Sequence, residues 1–168
     1  MSQIFEAFRA VGYICDDVKC AVLKRGSDTF VAASVGHAYQ LYNCNKLNLL
    51  FVGPTLELRV RALAMAGDFV YVAAGNNVHA YKRGKEASVY SHDGGNVVEL
   101  LPLGAHLLCL CEDGHVIAWD TDSGEIDKHF QLTSDMGEPS VSRAAILLGS
   151  RPCPPRAHAN ATAQPRCT

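Results

Sequence analysis

His106-x-x-Cys109-x-Cys111-x-x-x-His115 is the most suggestive cluster of chemically capable residues in the chain. Thiolate and imidazole this close in sequence can hold zinc, and alternation along an extended strand would put Cys109 and Cys111 on one face. Structural zinc usually draws its cysteines from Cys-x-x-Cys knuckles, however. Here both thiols lie in the apolar run Leu107-Leu108-Cys109-Leu110-Cys111, where small hydrophobic side chains belong. Core packing is therefore favoured, and neither a metal site nor a cofactor is expected. His92 and Asp113 could do acid–base work, but no placed nucleophile accompanies them. The sequence also has no paired acids, Gly-rich phosphate loop or Gly-x-Ser-x-Gly, so no catalytic residue is assigned. Asn160-Ala161-Thr162 matches a glycosylation acceptor by letter and is expected to be inert without secretion.

These residues sit in one predicted hairpin. Leu107 to Cys111 reads as an apolar strand, Asp113-Gly114 as its tight turn, and His115 to Asp120 as a second strand ending in Trp119-Asp120. The same layout recurs over Val72 to Tyr81 and over Val31 to Tyr42. Its aromatic ends, Tyr42, Tyr81 and Trp119, stand 39 and 38 residues apart. An upstream turn repeats as well, with Gly67-Asp68 and Gly104-Ala105 separated by 37 residues. A period of roughly 40 residues with a terminal Trp-Asp pair is the signature of a four-stranded β-propeller blade.

The predicted first blade uses Cys20 to Lys24, Phe30 to Val35, His37 to Tyr42 and Leu47 to Val52, and Gly53-Pro54 then breaks the chain. The second uses Val60 to Ala66, Phe69 to Ala74, Val78 to Lys82 and Ala87 to Tyr90, with Asn76-Asn77 as a turn that accepts positive φ. The third runs from Val97 to Phe130; its innermost strand, Val97 to Leu103, reads as buried on both faces and its outermost, Glu125 to Phe130, as a charged edge. Ala145 to Ser150 resembles one strand of a fourth blade. In WD repeats a histidine before the inner strand, a turn aspartate and the strand tryptophan can share a hydrogen-bond network, which gives His92, Asp113 and Trp119 a structural role.

The expectation is thus an all-β chain: a partial WD-repeat propeller of about three four-stranded blades plus a fragment of a fourth, over residues 20–150. Residues 1–19 form a docking segment in which Ile4, Phe5, Phe8 and Val11 fit either a short helix or an extended run. Residues 151–168 are Pro-rich and expected to be disordered. A formal net charge of −2 without a run of Lys or Arg argues against direct capture of nucleic acid. No secretory signal or bilayer-length apolar run is seen, and the seven cysteines form no Cys-x-x-Cys pair, so free thiols in a reducing compartment are expected.

Ile4-Phe5-x-x-Phe8-Arg9-Ala10-x-Gly12, Val35-Gly36 through Tyr42 to Lys46-Leu47-x-Leu49, Arg83-Gly84-Lys85-Glu86 and Leu107 to Trp119 together resemble the start of the WD repeat-containing protein 36 / small nucleolar RNA-associated protein 21 family. That resemblance covers roughly Ile4 to Ser150. It implies a nucleolar, non-enzymatic scaffold of the small-subunit processome that supports pre-rRNA processing and small ribosomal subunit biogenesis. Its implied partners are other propeller proteins, with RNA association indirect through the complex, no membrane and no small-molecule substrate. Family members carry two tandem propellers and a C-terminal helical domain. The departure at Arg151 therefore points to a truncated isoform, an altered reading frame or an incomplete gene model. Unclosed blade faces are then expected to favour association and poor solubility. The alternative is a WD-repeat scaffold of another pathway, a signalling adaptor or a ubiquitin-ligase receptor.

Overall fold

A computed structural model of the chain describes residues 16–132. Most of the docking segment, the fourth-blade strand at Ala145 to Ser150 and the tail at 151–168 lie outside the described residues. Within them are twelve strands in three antiparallel four-stranded sheets. Blade 1 holds β1 (Ala21–Arg25), β2 (Asp28–Val35), β3 (Ala38–Asn43) and β4 (Asn48–Val52). Blade 2 holds β5 (Val60–Ala66), β6 (Phe69–Ala74), β7 (Asn77–Lys82) and β8 (Lys85–Ser91). Blade 3 holds β9 (Val97–Leu103), β10 (His106–Cys111), β11 (His115–Asp120) and β12 (Ile126–Gln131). Strand order within each sheet follows chain order, so every connection inside a blade is a hairpin. The expected partial propeller is present, with strand ends shifted by one or two residues.

The repeat is legible in the backbone itself. Gly36, Gly75 and Gly114, each 39 residues from the next, take φ of 68°, 65° and 82° in the turns between the second and third strands. Only a residue without Cβ takes that region at no cost, and this fixes where each hairpin reverses. It also corrects the predicted turn of blade 2: Ala74 pairs with Asn77, so the loop is Gly75-Asn76 rather than Asn76-Asn77. The glycine takes the left-handed position that had been given to asparagine.

A bulge recurs in step. The pairing of third to fourth strand shifts register between Leu41 and Tyr42, between Ala80 and Tyr81, and between Ala118 and Trp119. The three aromatics occupy the fifth position of β3, β7 and β11, so their equivalence is one of register as well as of spacing.

Two apolar interfaces hold the blades together. Between blades 1 and 2, Ala32, Tyr39 and Leu41 meet Val60, Met65, Val72 and Tyr81, and the rings of Tyr39 and Tyr81 are 5.3 Å apart. Between blades 2 and 3, Tyr71, Ala73, Ala80 and Tyr90 meet Leu107, Cys109, Ile117 and Trp119. Small side chains in these interfaces, Ala32 of β2, Ala73 of β6 and Ala80 of β7, let the sheets approach. Backbone ties reinforce the packing: Val60 N–H donates to Gly36 O at 2.9 Å, and Val97 N–H to Gly75 O at 2.8 Å. The first residue of each new blade is thus bonded to a turn of the previous one.

Blade 3 departs from one expectation. The inner strand β9 is buried at Val97, Glu99 and Leu100, half-buried at Val98 and Leu101 and exposed at Pro102 and Leu103, so it is not covered on both faces along its length. The outer strand β12 is exposed at every position, as expected of a charged edge.

Candidate functional site

The cysteine and histidine cluster is divided by strand alternation. Leu107, Cys109 and Cys111 point into the interface with blade 2, and both thiols are fully buried. His106 belongs to the opposite face of β10. His115 turns outward to β12, where its Nδ1 lies 2.6 Å from Nε2 of His129. Among the described residues, no group of three or more His, Cys, Asp or Glu is placed to hold a metal ion.

His92, Asp113 and Trp119 are brought together, through an intermediary that their spacing did not reveal. Nε2 of His92 faces the Gly95 carbonyl at 3.1 Å, and Gly95 N–H donates to Oδ2 of Asp113 at 2.7 Å. A carbonyl can only accept, so this contact is a hydrogen bond in the tautomer that carries the proton on Nε2. The His92 ring meets the edge of Trp119 at 5.9 Å, and Tyr90 packs on the same indole at 5.5 Å. Burial alone would raise the Asp113 carboxyl, but the N–H groups of Gly95 and His115 hold it below the usual carboxylate range. The β10–β11 turn, the inter-blade loop and the third strand β11 are thus fastened at one point. A Cβ on Gly94 would lie 2.8 Å from His92, which would have to shift, and one on Gly95 would press on Asp113 at 3.0 Å.

A thiol–imidazole pair also forms. The Sγ of Cys111 lies 3.0 Å from Nε2 of His92. Hydrogen bonding to Cys111 and burial push the Cys109 thiol far up, while the same bond lowers Cys111. Cys111 has no exposed surface in this structure, so the pair is enclosed within the interface of blades 2 and 3.

The inner side of the three blades carries a polar concavity of about 860 Å³, bordered by the chain leading into β1 and by β5 and β9. Asp16 organises it. Its Oδ2 accepts from Ser34 Oγ and Gly36 N–H, both at 2.8 Å, and its other oxygen pairs with Arg59. The Ser34 hydroxyl, opposed by burial but joined by Arg59 and Gly36, holds the Asp16 carboxyl below its ordinary value. Lys19 reaches Glu99 at 3.3 Å and Arg61 reaches Glu112 at 3.5 Å, so ion pairs join this entry chain to blades 2 and 3, while Ser34 and Gly36 tie it to blade 1 by hydrogen bonds. Sequence reading missed these residues, because partners 18 to 80 positions apart leave no local signal.

Three blades in register, with His92, Asp113 and Trp119 fastened at one inter-blade loop, define the architecture to be compared with known proteins. A family model described as the WDR36/Utp21 first beta-propeller matches residues 31–147. The chain belongs to the WDR36/Utp21 family. The U3 small nucleolar RNA-associated protein 21 homolog of Schizosaccharomyces pombe is 37% identical over 121 residues, covering 70% of this chain and 13% of that protein. WD repeat-containing protein 36 of Homo sapiens is 32% identical over 163 residues, 89% of this chain and 18% of that protein. U3 small nucleolar RNA-associated protein 21 of Saccharomyces cerevisiae is 33% identical over 129 residues, 76% of this chain and 14% of that protein. The chain therefore spans less than a fifth of each of these WDR36/Utp21 relatives. Among solved structures, the computationally designed Ika8 protein superposes with a TM-score of 0.51 at 18% identity, covering 66% of this chain and 35% of that one, a likeness of fold alone.

Proposed function

We propose that this member of the WDR36/Utp21 family is a non-enzymatic scaffold of the small-subunit processome. In this role it supports pre-rRNA processing and small ribosomal subunit biogenesis in the nucleolus. The observation that carries this reading is the match of residues 31–147 to the first propeller of the family. Two of the relatives are named for U3 small nucleolar RNA, which supports an assembly built on that RNA. Residues 20–150 act as propeller blades and bind other propeller proteins, and contact with RNA comes through the complex. The described side chains support a binding role over a catalytic one, because the thiol, imidazole and carboxylate groups brought together are used up in packing ties.

The test is affinity purification of the tagged chain from nuclear extract, followed by measurement of U3 RNA and of processome propeller proteins, with the tag also localised in cells. Enrichment of both together with nucleolar staining supports the proposal. Recovery with a cullin adaptor or a membrane signalling complex, with no U3 RNA, overturns it.

A further inference from the structure

Blades 1 and 2 do not close completely at the end formed by the β1–β2, β5–β6 and β7–β8 turns. They leave a cleft of about 210 Å³ walled by Phe30, Leu41 and Phe51 on one side and Met65, Phe69 and Val70 on the other. The equivalent gap between blades 2 and 3 is larger, about 360 Å³, but its lining includes Lys82, His106, Thr121 and Asp122. An apolar wall is therefore a property of the first cleft and not a general outcome of blade stacking.

The rim of the cleft is cationic. Arg25 and Asp68 pair with each other, leaving Arg83 on the rim with no carboxylate within 4.0 Å among the described residues. Lys82, whose Nζ stands 5.3 Å over the Phe69 ring, lines the other gap, between blades 2 and 3. Two local rules are broken at this hairpin tip. Arg83 holds φ at 51°, a region that side-chain-bearing residues avoid, and in a turn with Gly84 at 78° this position favours Asn or Gly. Lys82 and Lys85 stand directly opposite each other in the β7–β8 ladder, a like-charged pair that weakens it. The Arg83 departure places positive charge beside the apolar opening, and such departures concentrate where a site is used.

We propose that the cleft between blades 1 and 2 docks a short acidic segment of a partner protein. One large apolar side chain of that segment enters between Phe51 and Met65, and a flanking carboxylate meets Arg83. A nucleic-acid backbone would use the cations and leave the apolar walls unfilled, whereas an acidic peptide uses both. The proposal does not depend on which assembly the chain serves.

The experiment is fluorescence anisotropy of the full chain with a labelled peptide, Gly-Asp-Glu-Phe-Leu-Asp-Glu-Gly, alongside the same peptide with Phe-Leu replaced by Gly-Gly and a labelled oligouridine. The acidic apolar peptide is expected to bind, and its Gly-Gly version to bind at least about tenfold more weakly, the equivalent of losing one buried apolar side chain. Arg83→Asn is expected to raise the thermal midpoint by relieving the strained φ while weakening the peptide several-fold, with Arg83→Lys recovering part of the affinity. Equal binding of both peptides, binding unaffected by Arg83→Asn, oligouridine binding that exceeds the peptide's, or no peptide binding would each overturn the proposal.

Discussion

Gly53 lies flat against the ring of Tyr39: its N–H donates to the Tyr39 carbonyl at 2.8 Å, and a Cβ built on it would fall 2.0 Å from the ring's Cε1. Tyr39 is fully buried and packs in turn on Tyr81 of the next blade. A residue that looks like simple punctuation before Pro54 thus seats the first inter-blade contact.

Gly53→Ala should therefore destabilise the chain by about 3 kcal/mol, since the ring is held on its other side and cannot give way. Gly104→Ala is the comparison. Its φ is 62° with nothing within 4 Å, so only backbone strain of about 1 kcal/mol is expected. Urea unfolding of the two variants measures the difference.

His92→Ala should cost about 1–2 kcal/mol through loss of the Gly95 tie and the edge contact with Trp119. Cys111→Ala should cost less in the His92→Ala background than alone, because both side chains serve one network. A double-mutant cycle reads the coupling, and strict additivity would count against the network.

Thiol labelling should separate the described cysteines by position. Cys44 is exposed and should react with maleimide in the native chain, while Cys109 and Cys111 should react only once urea opens the interface between blades 2 and 3. Peptide mass spectrometry after brief labelling gives the order.

Asp16 supplies a pH dependence of known sign. Its carboxyl is lowered in the fold by Ser34, and further by Arg59 and Gly36 against burial, so near the ordinary aspartate value of about 3.9 the unfolded chain binds the proton more readily. The stabilisation is complete above that value and is lost as pH falls through the lower folded value. Asp16→Asn should be less stable than the parent at pH 7, and the gap should shrink as pH falls below about 4. A gap of constant size would show that the carboxylate charge is not what Ser34, Gly36 and Arg59 recognise.

Most of the strand framework was legible because its signals are local. Alternating apolar residues mark each strand, Gly36, Gly75 and Gly114 mark the reversals, and Tyr42, Tyr81 and Trp119 mark the register. The error at Asn76-Asn77 arose because two residue types compete for positive φ, and Gly75 takes it at lower cost. The ties at Asp16 and Gly95 were invisible for a different reason. They depend on which turns the stacking of blades brings within 3 Å, and a binary pattern of apolar and polar residues does not encode that.

The central claim is that Tyr42, Tyr81 and Trp119 hold equivalent positions in blades stacked in sequence order. The most direct measurement is of proton–proton contacts by NMR on the intact chain. Cross-peaks from the single tryptophan indole to the Tyr90 and His92 rings, and from the Tyr81 ring to the Tyr39 ring, are expected at the 5.3–5.9 Å ring separations of the structure. A folded, dispersed spectrum in which Trp119 contacts neither the Tyr90 nor the His92 ring would contradict the stacking of the blades.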